Sequence, residues 1–337
     1  MDLYKNSVEK VKTAFLPKLA NGQCGDPVLL VDILREKRAL LFDCGTLTAL
    51  APAEILRVTD VFVSHAHIDH FIGFDHLLRF HLGRGRRVRI YGPKGIAACV
   101  RGKLSGYTWN LVQGQRLVFE VWEWDGKRSL VTEFLCRHRF RHGASRELPE
   151  SDVLYECELF SVRVAQLDHK IPSLAFCLKE NEFYNVDPLK LAAAGLRPGP
   201  WLNELKRWVR AGRPADTTIE VEGQIRAPAP LADELLITSP GQTIGYVADA
   251  IGSAHNAEAI VRLMRGADLL FCEGALLHED LARATETYHL TARQAGELAR
   301  RAGVSRLTVF HFSPKYEGRF GELEQEAERA FHPPDEP

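Results

Sequence analysis

One segment constrains this chain more than any other: Ser64-His65-Ala66-His67-Ile68-Asp69-His70, set directly behind the apolar run Asp60-Val61-Phe62-Val63 and before the helical run Phe71-Ile72-Gly73-Phe74. Three imidazoles and a carboxylate within six residues are expensive to bury without a partner, and they suit a cation that takes nitrogen and oxygen ligands in an open site, zinc above all. A strand ending in such a loop can aim His65 and His67 at one metal, with Asp69 and His70 at the helix start facing a second. The fold must therefore present a strand, a tight loop and a helix in that order.

The rest of the chain supplies matching elements. Short apolar runs punctuated by Gly, Asp and Pro read as strands at Pro27–Ile33, Ala39–Phe42, Val58–Val63, Val88–Tyr91 and Leu117–Trp122. Helical periodicity appears at Phe71–Leu82, Asn256–Arg265 and Thr291–Ala302, where Ala292, Ala295, Leu298 and Ala299 recur at three- and four-residue steps and Thr291 is placed to cap. Two halves, each of strands followed by helices, run to about Leu135 and from about Leu159 to beyond Phe312. This order predicts an α/β chain folded as an αββα sandwich. Residues 181–226, rich in Pro, Gly, Arg and Trp, read as an insertion with little core of its own, within a single domain covering 1–337.

Composition narrows the class without naming a substrate. Seven scattered cysteines with no Cys-x-x-Cys pair argue against a disulfide framework or a cysteine zinc knuckle. No window resembles a membrane-spanning helix, and Met1 to Lys12 is charged rather than signal-like, so a cytoplasmic setting without membrane contact is expected. Net charge is −1, which gives no global sign of nucleic acid. Two stretches are basic nonetheless: Arg137 to His142, and Arg197 to Arg213 with Lys206, Arg207 and Arg210. Taken alone, each reads as solvated surface.

The His-x-His-x-Asp-His pattern resembles the first metal motif of the metallo-β-lactamase superfamily. That resemblance asks for a further histidine, a carboxylate shared by both metals and a last histidine, each at a strand end. His169, Asp249 and His311 are the candidates, each at the end of an apolar run. The match sharpens to the ribonuclease Z family through residues 65–70, the Asp249 loop, the segment from Cys272-Glu273 to His289-Leu290-Thr291, and His311-Phe312-Ser313-Pro314-Lys315-Tyr316. In addition, Gly195-Leu196-Arg197-Pro198-Gly199-Pro200-Trp201 resembles that family's tRNA-gripping arm.

The resemblance implies two zinc ions per chain, with manganese or magnesium as substitutes. His65, His67, His169 and Asp249 would hold one, and Asp69, His70, Asp249 and His311 the other. It further implies that Asp69 orients the attacking water, that His289 is the general acid and that Glu273 orients His289. Arg197, Gly199, Pro200, Lys206, Arg207, Ser313 and Lys315 would contact a precursor tRNA, and the protein would work as a homodimer. Trp201 and Trp208 are expected to pack the insertion down rather than stack on bases. The expected activity is removal of 3′ trailers from precursor tRNA, leaving a 3′-hydroxyl.

Three departures from the family pattern bear on substrate: Asn21-Gly22-Gln23-Cys24-Gly25-Asp26-Pro27 replaces a Gly-rich segment, Cys272-Glu273-Gly274 replaces His-Glu-Ala, and Lys315 replaces an arginine. They leave two competing readings, a phosphodiesterase for small or cyclic phosphates and a non-catalytic RNA-binding protein of the same fold.

Overall fold

The computed structural model describes residues 14–34 and 36–334; the charged N-terminal segment Met1 to Lys12 lies outside them. The chain forms two compact units, 1–179 with 242–337, and 180–241.

The larger unit begins with three strands, β1 (Phe15–Leu19), β2 (Leu29–Ile33) and β3 (Arg38–Phe42), joined as an antiparallel meander. The chain then alternates through α1 (Pro52–Arg57), β4 (Val58–Phe62), α2 (Ile68–Phe71), α3 (Phe74–His81), β5 (Arg87–Pro93), α4 (Ile96–Ser105) and β6 (Val118–Trp124). Strands β3 to β6 are parallel, so their C-terminal ends lie together. β7 (Ser129–Leu135) and β8 (His142–Glu147) complete an eight-stranded sheet whose order follows the chain. β9 (Val153–Glu156), β10 (Phe160–Asp168) and β11 (Pro172–Glu180) open a second sheet.

The second unit contributes β12 (Phe183–Val186), α5 (Pro188–Ala193), α6 (Trp201–Arg210), β13 (Ile219–Val221), β14 (Gln224–Arg226), α7 (Pro228–Leu235) and β15 (Leu236–Ser239). The chain then returns to the second sheet as β16 (Thr243–Val247), followed by α8 (Ala254–Leu263), β17 (Leu269–Glu273), α9 (Leu281–Thr287), α10 (Ala292–Ala302), β18 (Leu307–Phe310) and α11 (Phe320–Phe331). That sheet has the order β18-β17-β16-β11-β10-β9.

Three apolar clusters make the larger unit a four-layer αββα sandwich. Between the sheets lie Phe42, Phe62 and Tyr91 from one and Phe176, Tyr246 and Phe310 from the other. Their rings interlock, Phe62 meeting Phe176 edge-on at 5.6 Å and Phe42 meeting Tyr246 at 5.8 Å. Each such fully buried side chain contributes roughly 1.5–3 kcal/mol relative to exposure. A second cluster joins the outer face of the first sheet to α1, α3 and α4. The third joins the outer face of the second sheet to α8, α10 and α11, through the small-residue stripe read from the sequence. Thr291 caps α10 as expected, its hydroxyl accepting from the Gln294 amide while the Gln294 side chain returns to the Thr291 amide.

The helical periodicity over Phe71–Leu82 is divided in the fold. α2 ends at Phe71, and α3 starts only after Gly73. The cause is close approach: a Cβ on Gly73 would stand 2.0 Å from the carbonyl oxygen of Gly45, where no side chain fits. The Gly73 amide donates to Cys44 O, and the Cys44 amide to His70 O, each at 2.9 Å. These bonds clamp the histidine loop against the chain leaving β3.

The second unit corrects one expectation. The inserted stretch 181–226 lies within a unit that extends to Gly241 and has its own core, built from Leu191, Trp201, Leu205, Trp208, Val221 and Leu235 among others. Both tryptophans are buried in that core, Trp201 Nε1 donating to Arg197 O at 3.2 Å and Trp208 Nε1 to Pro214 O at 3.0 Å. Gly199 is where the Trp201 ring passes; a Cβ there would lie 2.9 Å from it. Counting polar residues understated this unit because its apolar side chains are spaced along α6 and α7 rather than gathered in a run. Among the described residues, no helix is long and apolar enough to cross a membrane.

Candidate metal centre and active site

The seven sequence-predicted metal ligands meet at one end of the sandwich. Ser64 to His70 continue from the C-terminal end of β4; His169 sits in the turn between β10 and β11; Asp249 follows β16; His311 follows β18. Their donor atoms form groups in which all lie within 4.8 Å of one another: His65, His67, His169 and Asp249 in one, and Asp69, His70 and His311 in another. Asp249 faces both. Its Oδ2 lies 3.5 Å from His169 Nε2 and 3.8 Å from His65 Nε2, while its Oδ1 lies 2.9 Å from His311 Nδ1 and 3.4 Å from His70 Nε2.

Hydrogen bonds behind the ligands fix which nitrogens face inward. Asp43, fully buried, accepts the Ser64 amide through Oδ1 at 2.7 Å. Its Oδ2 accepts the Ser64 hydroxyl at 2.9 Å, His70 Nδ1 at 2.8 Å and the Tyr246 hydroxyl at 2.7 Å. A carboxylate can only accept, so His70 carries its proton on Nδ1 and offers Nε2 as a lone pair. With its hydroxyl proton committed to Asp43, Ser64 Oγ accepts from His65 Nδ1 at 3.0 Å, which frees His65 Nε2. His169 Nδ1 donates to Tyr288 O at 2.7 Å, which frees its Nε2.

Donor chemistry fits a divalent cation. His65 Nε2, His70 Nε2, Asp249 Oδ1 and His311 Nδ1 are buried without a hydrogen-bond partner, and each belongs to a residue of one of the two donor groups that Asp249 faces. Leaving each unsatisfied would cost about 1–3 kcal/mol, so such a gathering marks a ligand set. The carboxylates Asp43, Asp69, Asp249 and Glu273, set among histidines, give the surplus negative charge that a cation neutralises.

Electrostatics polarise the groups. Burial, aided by His70, pushes His65 down to about 2, so its imidazole is neutral and ready to ligate. Burial and the neighbouring His169 lower His67 in the same direction. Burial acts to raise Asp69 and Asp249, but the imidazoles of His311 and His70 outweigh it and hold both well below the usual carboxylate range. Burial acts to lower His289, and the Glu273 carboxylate reverses the sign, leaving it raised.

Beside the candidate metal ligands stands a second pair. His289 Nδ1 donates to Glu273 Oε2 at 2.8 Å, and Glu273 Oε1 accepts the amides of Ala250 at 2.6 Å and Leu290 at 3.1 Å. Glu273 is fully buried while His289 is partly exposed, so His289 Nε2 is free to reach a ligand. Asp69, His289 and Ser313 line a cleft of ≈ 380 Å³ over the metal ligands, together with Arg283 and Thr287 of the α9 region.

One expected residue of the larger unit does not line the cleft. Lys315 Nζ pairs with Asp280, and Ser313 Oγ accepts the Lys315 amide, so Lys315 is held against Asp280 rather than lining the cleft. Arg197, Gly199, Pro200, Lys206 and Arg207 belong to the second unit. Asp43 and Tyr246 were missed by sequence reasoning. The available signal was the pattern Phe42-Asp43-Cys44-Gly45 behind an apolar strand, an acid in a position otherwise bound for the core. Both Asp43 (φ 58°) and His311 (φ 63°) adopt left-handed backbone, a cost of about 1–2 kcal/mol each that clusters at functional sites.

Residues 22–94 match the family model of the metallo-beta-lactamase superfamily, and residues 216–312 match that of the beta-lactamase superfamily domain. Over 282 residues the chain is 32% identical to the ribonuclease Z of Deinococcus radiodurans, spanning 82% of this chain and 83% of that protein. The chain belongs to the ribonuclease Z family. A second ribonuclease Z, from Methanosarcina acetivorans, is 32% identical over 297 residues, covering 85% of this chain and 82% of that one. Among solved structures, the short form of human tRNase Z shares the fold with a TM-score of 0.51 at 19% identity, covering 90% of this chain and 93% of that one. As a ribonuclease Z family member the chain carries a site for metal ions, which the convergent imidazoles and carboxylates fit.

Proposed function

We propose that this chain is a metal-dependent endoribonuclease that removes 3′ trailers from precursor tRNA. The observation that carries the reading is the pairing of a shared-carboxylate metal centre with a separate, carboxylate-held histidine, His289, on the wall of the same cleft. In support, the relatives at 32% identity bear the name ribonuclease Z.

His65, His67, His169 and Asp249 would hold one zinc ion, and Asp69, His70, Asp249 and His311 a second. Bound there, such ions supply Lewis acidity that lowers the pKa of water and offsets charge on the phosphodiester. Asp69, whose carboxylate reaches the cleft between His70 and His311, orients the attacking water by accepting a hydrogen bond from it. Water adds to phosphorus as the bond to the 3′-oxygen of the tRNA body breaks. His289 delivers a proton to that oxygen, and Glu273 keeps its Nδ1 occupied so that Nε2 is the atom that donates. The products are a 3′-hydroxyl on the tRNA and a 5′-phosphate on the trailer.

The same reading includes a cytoplasmic setting, a homodimer and an arm formed by 181–226 in which Arg197, Lys206 and Arg207 meet phosphates electrostatically, with Gly199 and Pro200 shaping the turn. Incubating the zinc-loaded protein with a trailer-bearing precursor tRNA and mapping both new ends tests the activity. Intact precursor at stoichiometric protein would remove it. Metal analysis and sedimentation test the zinc count and the dimer.

A further inference from the structure

The basic run beginning at Arg137 plays no part in the catalytic reading, and strand pairing gives it neighbours that the sequence hides. Val118 of β6 pairs with Arg87 of β5 and with Leu135 of β7. One step further out, the Val118 amide donates to Arg86 O at 2.9 Å and the Cys136 amide to Leu117 O at 3.0 Å. Arg86, Arg116 and Arg137 therefore stand at adjacent strand ends, where strands lie about 5 Å apart. After a short 3₁₀ turn, Arg139 and Phe140 adopt left-handed backbone (φ 60° and 52°). Phe140 is thereby buried against Trp109 at 4.8 Å, while Arg137, Arg139 and Arg141 are left in solvent.

Arg84, in the turn after α3, joins Arg86 beside His81. Six guanidinium groups thus gather at one end of the sheet. The acids at its margin are already engaged: Glu133 by Arg87, and Glu120 by Arg87, Arg89 and Arg146. Among the described residues, Arg84, Arg116, Arg137, Arg139 and Arg141 have no ion-pair partner.

This end is opposite the catalytic one. The Val63 amide donates to Tyr91 O at 2.7 Å, and Tyr91 lies five residues along β5 from Arg86, which puts the arginines about 17 Å from the level of Val63, with His65 two residues further on. Concentrated like charge is unfavourable unless a polyanion meets it. Arginine, used here to the exclusion of lysine, forks bidentately onto phosphate oxygens. Tyr107, half exposed, stands 5.9 Å from Trp109, the ring against which Phe140 packs between Arg139 and Arg141.

We propose that this arginine surface is a second RNA contact, gripping phosphate backbone remote from the cleavage site. Its choice of partner rests on the RNA-processing reading above. The test compares wild type, R116E/R137E/R139E and the matching glutamine triple variant. Each is measured for binding to trailer-bearing precursor tRNA and to polyglutamate over a salt series, for turnover of bis(p-nitrophenyl) phosphate and for thermal midpoint.

The glutamate variant is expected to lose about tenfold or more in RNA affinity. Its log–log salt slope should become shallower by about 2–3, at roughly 0.9 per lost phosphate contact. The glutamine variant should fall between, with turnover of the small diester and thermal midpoint close to wild type in both. Unchanged RNA affinity and slope in the glutamate variant would overturn the proposal. So would a selective loss of binding to polyglutamate, which would assign the surface to an acidic protein. A wild type that grips the precursor through these arginines yet never cleaves it would instead sink the catalytic reading and leave this surface standing.

Discussion

Asp43 and Tyr246 meet across the sandwich, the tyrosine hydroxyl donating at 2.7 Å to the same carboxylate oxygen that receives His70 Nδ1 at 2.8 Å. One acid thus ties the first sheet, the second sheet and the metal loop together. In Asp43→Ala the tautomers of His70 and His65 lose their anchor, and metal affinity should fall about 10- to 100-fold, read by competition with a chelator. Tyr246→Phe removes a single donor and should cost about 1 kcal/mol in urea unfolding while leaving metal affinity near wild type. Equal metal loss in both variants would show that the acid holds the ligands only with the tyrosine in place.

Asp249 and His289 are expected to fail in different ways. Asp249→Ala removes the carboxylate that faces both ligand groups, so bound metal and activity should disappear together. His289→Ala leaves those ligands in place; metal content should stay as in wild type while single-turnover cleavage slows about 10²- to 10⁴-fold. Metal loss in the second variant would withdraw the general-acid role.

His81 gives a pH dependence independent of the metal centre. It is fully buried at the end of α3, its Nε2 donating to Ile55 O at 3.1 Å, and burial holds it at about 4 against an ordinary value of 6.5. Between those values the unfolded chain binds the proton and the folded one does not, so stability falls as pH drops through 6.5 and levels off below 4. This histidine alone should remove about 2 kcal/mol of unfolding free energy between pH 7 and pH 5. His81→Gln, which keeps a donor for Ile55 O, should lose that much less over the same range in urea titrations. An identical pH slope in both proteins would contradict the buried neutral assignment.

Trp208 separates packing from base stacking in the second unit. It is buried among Leu205, Val209 and Leu235, so Trp208→Ala should destabilise that unit by about 3–5 kcal/mol and open 180–241 to limited proteolysis. Trp208→Phe should protect the segment almost as wild type does. RNA affinity lost in the phenylalanine variant with the unit still protected would return the ring to a stacking role.

The sequence made the strand-end candidates legible because each closes an apolar run, and because imidazoles crowded at residues 65–70 have few uses besides metal; the fold brings their donor atoms together. Thr291 was legible for a local reason too, since a cap depends on residues three apart. Asp43 was not, because its meaning depends on Ser64 and His70 in the segment behind β4 and on Tyr246 of β16, all brought to it by the fold. The division at Gly73 was hidden likewise: its cause is a carbonyl of Gly45, distant in sequence. The arginine surface depends on pairing between β5, β6 and β7, which no run of residues encodes. In the second unit, spaced apolar side chains concealed a core behind a polar composition.

The strands that bracket the second unit are themselves partners: Lys179 on β11 stands directly across from Thr243 on β16, with Phe176 facing Tyr246 further along. The whole of 180–241 is therefore an elaborated hairpin turn. A tight two-residue connection could join those strand ends without altering the register of any catalytic side chain. Evolution or an engineer could exchange this appendage as a cassette while the strands that carry the catalytic side chains keep their pairing.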